Sequence, residues 1–232
     1  MKQENHTRPL AFDGTFVKAH MVYDAHDYRT TGVVTNLSAN PMYIAGDPIG
    51  VIPPWRSTVL RDSVIISAER ASIVHVPDDI NLGGIALDGW EWLGKSMPEF
   101  PRRTPLYIST KDIVGEVQFN PWTFSNNPEP KDEVQNFDIQ LNLWWAPART
   151  DAVIHNTHSF IELHTQIFGH GRIQLFKDQA GTQMYREISA SPGDTHDPIL
   201  WVKDKKTFVY PWHRGWTDTD AVWMAIEFHP KA

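Results

Sequence analysis

An all-β fold, a barrel or sandwich of short strands, is predicted by three features of the sequence. Short β-branched or alternating apolar runs recur along the chain, each bounded by Gly, Pro, Asn or Asp. Seventeen prolines act as breakers between them. No stretch sustains the 3.6-residue periodicity of an amphipathic helix, which argues against βαβ units.

In chain order the predicted strands are TGVVTNL (31–37), PMYIAG (41–46), IGVIPP (49–54), DSVIISA (62–68) and ASIVHVP (71–77). After them come PLYIST (105–110), DIQLNLWW (138–145), SFIELHTQIF (159–168), GRIQLF (171–176), TFVYP (207–211) and AVWMAIEF (221–228). Valine, isoleucine, threonine and aromatic residues fill these runs because they pack well on a pleated surface. Between the two groups, residues 78–103 form a long excursion punctuated by Gly and Pro, with room for one helical turn at Trp90–Leu93.

The polar segment NNPEPKDEV (126–134) reads as a linker, dividing the chain into 1–125 and 126–232. A faint duplication flanks it: Gly46-Asp47 followed by VIPPWR echoes Gly193-Asp194 followed by VYPWHR. In that alignment Arg56 stands where the second copy has His213, so the N-terminal half is expected to be a β domain without metal ligands.

Composition removes several classes of function. Lys plus Arg is 21 against 28 Asp plus Glu, a net charge of −7, with no basic run to follow a phosphate backbone, so nucleic acid is not an expected partner. There is no cysteine, which excludes disulfides, thiolate metal sites and thiol nucleophiles. The polar start MKQENHTRPLAF lacks an apolar signal core, and nowhere do about 18 apolar residues run without a charge. A soluble, cytoplasmic chain with no membrane partner is expected. No Gly-x-Ser-x-Gly elbow, phosphate loop or dinucleotide fingerprint occurs.

The chemistry concentrates in His155-Asn156-Thr157-His158 and the strand that follows, with Glu162, His164, Gly169 and His170. Side chains alternate faces on a strand, so His158, Phe160, Glu162 and His164 are expected to share one. Imidazole and carboxylate donors aimed at one point suit a borderline divalent cation such as Fe(II), Mn(II), Zn(II) or Ni(II).

Here the sequence resembles the metal-binding members of the cupin superfamily. Their first motif has two histidines in H-x-H, a glutamate four residues after the second, and a glycine beyond six intervening residues. His158, Glu162 and Gly169 match that spacing, while the first histidine position is occupied by Asn156. The second motif is similar to Gly193-Asp194 leading to Pro211-Trp212-His213, then a TDTD turn and a closing apolar strand, with a longer stretch between its two parts than usual. The resemblance implies a jelly-roll barrel (a double-stranded β-helix), or two cupin-like barrels, with His213 completing a metal site begun by His158 and Glu162.

The extra ligand position stays open between His155, moved into line by a β-bulge; His164, which has the correct parity without one; and Asn156 or water. Two histidines and one carboxylate alone would suit non-haem iron. Trp144, Trp145, Trp212 and Trp216 are candidates to line the barrel mouth.

Such a site implies a metal-dependent enzyme, foremost an Fe(II) oxygenase or oxidase of dioxygenase type acting on a small organic acid or aromatic compound, with Glu162 and His164 at the reacting centre. The alternatives are a metal-dependent isomerase, lyase or dehydratase with His164 or His170 as base, and a barrel that binds a small molecule without reacting. The resemblance also implies a homodimer paired through strand edges. His170, His196 and His229 are expected to serve structure rather than the site.

Overall fold

The computed structural model describes residues 5–96 and 103–231, and it is all-β. The first half contains β1 (His6–Pro9), β2 (Lys18–Asn36), β3 (Met42–Ile44), β4 (Gly50–Ile52) and β5 (Ser57–His75), in one antiparallel sheet of order β1-β2-β5-β3-β4. β2 and β5 are each 19 residues long and strongly bent, so that Val33 pairs with both Val59 and Val74. Gly32 permits the bend: its φ is +138°, and a Cβ there would lie 2.8 Å from the Val74 carbonyl oxygen.

A 3₁₀ turn (Leu82–Leu87), β6 (Glu91–Trp92), α1 (Leu93–Ser96), β7 (Tyr107–Ile108), β8 (Asp112–Phe119) and α2 (Pro121–Phe124) lead into the second half. There follow β9 (Gln135–Ala146), β10 (Ile161–Phe168), β11 (Gly171–Phe176), β12 (Met184–Ala190), β13 (Trp201–Asp204), β14 (Thr207–Val209), β15 (Trp212–Thr217) and β16 (Ala221–Pro230). A six-stranded sheet has the order β10-β16-β9-β7-β6, with β8 also paired to β9. Beside it stand a three-stranded sheet, β12-β11-β15, and the hairpin β13-β14.

Three local expectations shift. The helical turn lies at Leu93–Ser96 rather than Trp90–Leu93, because Trp92 pairs with Tyr107 as strand. Helix α2 stands where no helix was expected; Asn120 caps it by accepting from the Trp122 and Thr123 amides, and Pro121 opens it. β8, β12 and the first part of β2 lie outside the predicted runs. β12 is an edge strand whose Met184 and Tyr185 are exposed, so it has no buried apolar face to announce it.

Residues 131–134, within the expected linker, have no regular structure. Strands on its N-terminal side, β6 to β8, nevertheless hydrogen-bond within the sheet of β9 and β16. One hydrophobic core joins Met21, Val33 and Trp55 to Phe137, Leu163 and Phe228. Trp55 packs edge-on against Phe228 at 4.9 Å, and Phe119 stacks on Phe137 at 4.6 Å. Arg56 contributes to the same junction: it donates to the Thr195 and His196 carbonyls and pairs with Asp197.

The period-two alternation of β9, β10 and β16 positions the site. Ile139, Leu141 and Leu143, Ile161, Leu163 and Ile167, and Val222, Met224, Ile226 and Phe228 all turn into the core. The opposite face carries Gln140, Asn142 and Trp144, then Glu162, His164 and Gln166, then Trp223, Glu227 and His229. No helix among the described residues is long and apolar enough to cross a membrane.

Candidate metal centre

The polar face of the sheet forms one wall of a cavity of about 910 Å³, whose other walls are residues 152–160, the β11–β15 pair and Lys111 with its neighbours. Residues 147–160 cross the cavity without a long strand. Positive φ values at Arg149 and Val153, both +63°, turn the backbone there. Such a φ is rare for a β-branched residue and marks a locally imposed conformation. The Asp151 carboxylate helps to hold it by accepting from the Val153 amide at 2.8 Å.

The turn brings His155 against β15. His155 and His213 form an antiparallel bridge, exchanging both backbone hydrogen bonds at 2.9 Å. His158 joins them, so that one nitrogen from each of the three rings lies within 4.8 Å of the other two. The Nε2 atoms of His158 and His213 are 3.3 Å apart. Two second contacts orient the set: His155 Nδ1 meets the Val153 carbonyl and His213 Nδ1 meets the Pro211 carbonyl, each at 2.9 Å. A carbonyl can only accept, so Nδ1 carries a proton in both rings, and in the neutral His213 ring Nε2 keeps its lone pair.

Burial, helped by the neighbouring His155, lowers the His213 pKa to about 3, and burial also lowers that of His158. Imidazole nitrogens from three side chains converge on one point, as cation ligation requires. The donor set thus fits a borderline divalent metal.

Glu162 stands beside this cluster, 93% of it hidden from solvent. Its Oε2 is 3.8 Å from His158 Nδ1 and its Oε1 is 3.5 Å from His164 Nε2. Burial pushes the carboxyl pKa up, but His164, His158 and His213 outweigh that and hold it well below the usual carboxylate range. Tyr210 fixes the start of β10: its hydroxyl accepts from the Glu162 amide at 2.8 Å and donates to the Phe160 carbonyl at 3.0 Å. Its ring lies 4.4 Å from that of His158, and burial, with Glu162, pushes the phenol well above its ordinary pKa.

The five residues expected at the site therefore gather in one region, with a division of place. His155, His158 and His213 converge; Glu162 flanks His158; and His164 lies beyond Glu162, outside the converging set. His158 precedes β10 rather than riding on it. Asn156 lines the cavity, and its side-chain oxygen accepts from Thr157 at 3.4 Å. His196 is structural: it accepts from the His164 amide at 2.8 Å, and its Nδ1 is 2.7 Å from the Asp197 carbonyl. His170 meets Ser191 away from the cavity lining.

Trp144, Trp212 and Trp216 line the cavity, whereas Trp145 turns into the core against Tyr107. Consecutive residues on a strand cannot share a face. Trp223 takes the vacated role, stacked on its cross-strand partner Trp144 at 6.4 Å. Sequence reasoning also missed Tyr210, Lys111 and Glu227. Glu227 carried a visible signal, being the single charged residue inside the apolar run AVWMAIEF.

No protein-family model and no curated protein matches the chain. Among solved structures it is similar to oxalate oxidase in complex with the substrate analogue glycolate, with 13% identity over 40% of this chain and 42% of that one, at a TM-score of 0.28. The match thus spans less than half of the oxalate oxidase chain. It is also similar to a point mutant of Bacillus subtilis oxalate decarboxylase (9% identity, 100% of this chain and 74% of that one, TM-score 0.32). A third likeness is to the vicilin from Solanum melongena (8% identity, 92% and 74% covered, TM-score 0.32). Likeness at this level fixes neither substrate nor metal here. The antiparallel all-β architecture brings both motif segments to one histidine cluster.

Proposed function

We propose that the chain is a metal-dependent cupin enzyme, with His155, His158, His213 and Glu162 holding one divalent transition metal, Fe(II) foremost. Residues 126–232 supply all four groups, and residues 1–125 serve as a β domain without ligands. The observation that carries this reading is the convergence of three histidine nitrogens within 4.8 Å, two of the rings oriented by backbone carbonyls.

The proposed activity is oxidation of a small organic acid or aromatic compound by O₂. A redox-active cation bound there would supply O₂ activation and a chelation point for substrate. The chain's own residues would do the rest. The Nδ1 to carbonyl contacts hold the rings in the ligating tautomer, and Tyr210 fixes the backbone of Glu162. Trp144, Trp212, Trp216 and Trp223 give the cavity flat apolar wall segments. His164, 3.5 Å from Glu162, is placed to hold or pass a proton.

A redox-neutral reading, an isomerase, lyase or dehydratase, is favoured by one feature: a second buried carboxylate, Glu227, lies directly across the strand pair from Glu162. Metal content by plasma mass spectrometry on anaerobically purified, untagged protein, followed by O₂ uptake with candidate acids and phenolics, separates these. About one Fe per chain with substrate-triggered uptake supports the oxygenase. About one Mn, Zn or Ni without uptake supports the redox-neutral enzyme.

A further inference from the structure

Beyond Glu162, the cavity face of β9 and β16 carries a polar cluster that the proposed metal centre does not use. Glu162, Glu227 and Gln140 stand in one cross-strand row. Glu227 is 1% exposed and accepts from Asn142 on Oε1 at 2.7 Å and from Gln140 on Oε2 at 2.6 Å. His229 Nε2 lies 2.7 Å from Oε2, and Lys111 Nζ lies 3.5 Å from Oε1. Both carboxylate oxygens are thereby engaged, so Glu227 is an anchor rather than a free base.

Lys111 differs. Its side chain is 48% exposed and lines the cavity, and an ammonium has three N–H groups, of which Glu227 occupies one. The other cation of the cavity wall, Arg172, is committed to Asp218 and Glu187. An ammonium ion-paired to a buried carboxylate, with N–H groups left to donate into the cavity, makes a receptor for an anion.

We infer that Lys111, held in place by Glu227, binds an anionic group of the substrate apart from the group that reaches the metal. Resting on the metal reading above, this narrows the substrate to organic acids bearing a second anionic group. Lys111 is then a specificity-determining residue.

The probes are malonate, succinate and glutarate, each compared with its monoamide by titration calorimetry on the metal-loaded full chain. The wild-type chain is expected to bind at least one dicarboxylate about tenfold more tightly than its monoamide, the scale of one charge-assisted hydrogen bond. Lys111→Met is expected to erase that preference, and Lys111→Arg to restore most of it, with metal content and melting temperature near wild type in both. Should Lys111→Met not fold, the double variant Lys111→Met/Glu227→Gln removes the unpaired buried charge and takes its place. A preference absent from the wild type, or surviving without Lys111, overturns the inference. Metal content and titrations of the metal-free chain are read separately. An empty centre with a Lys111-dependent preference sinks the metal reading alone, and a full centre without that preference sinks the Lys111 assignment alone.

Discussion

His155 and His213 exchange both backbone hydrogen bonds at 2.9 Å, which holds their rings 4.4 Å apart. The loop and the strand are thus registered by the same contacts that pair the proposed ligands, so the geometry of the centre is set by backbone before any metal arrives.

Replacing either partner should therefore be felt in metal affinity rather than in folding. His155→Ala and His213→Ala are each expected to weaken metal binding by at least about tenfold, the range in which lost metal-site contacts are felt. His164→Ala should leave stoichiometry near normal, since its ring lies beyond Glu162. Metal titration by competition with a chromophoric chelator reads all three. Full affinity in His155→Ala would remove it from the ligand set.

Tyr210→Phe keeps the ring against His158 but deletes the hydroxyl between the Glu162 amide and the Phe160 carbonyl. Leaving that buried amide unpaired should cost about 1–3 kcal/mol in urea unfolding and loosen the metal site. A variant as stable as the wild type would mean that the hydroxyl bridge is not formed in solution.

The metal-free chain should lose stability in weak acid. Burial, with His164, lowers the His196 pKa from 6.5 to about 4, so the unfolded chain takes up a proton first as pH falls. The contribution of a neutral His196 is complete above pH 6.5 and declines between 6.5 and about 4, amounting to about 3 kcal/mol over that window. Unfolding curves across it should flatten in His196→Gln. An unchanged slope would assign the loss to other groups.

Phe228 lies 4.9 Å from Trp55 of the first half and belongs to β16 of the second. Phe228→Ala is expected to cost about 3–5 kcal/mol and to shift one cooperative transition rather than split it. Two separated transitions in calorimetry would show that the halves unfold independently.

Much of the site is legible in the sequence where its position depends on local spacing. Gly169 is the clearest case: its φ is +67°, and a Cβ there would fall 1.9 Å from the Asp220 carbonyl oxygen, so the turn into β11 demands glycine. Glu162 and His164 share a face because they are two apart on β10. His155 could not be separated from His164 by spacing, because its placement depends on the positive-φ turn through Val153, which no periodicity announces.

Trp145 was misplaced for a related reason. Alternation assigns Trp144 and Trp145 to opposite faces, but which face meets the cavity depends on strand register. Lys111 meets Glu227 because β8 and β16 both flank β9, a pairing between distant segments that the sequence does not display. The fold class was legible because buried β-branched runs announce themselves. The exposed edge strand β12 does not.

The most direct test is the metal content of the wild-type chain beside His213→Ala, both purified anaerobically without a tag. About one divalent transition metal per wild-type chain, lost in a His213→Ala protein that remains folded, is the result predicted. A wild-type chain that neither carries nor takes up such a metal would contradict the central claim.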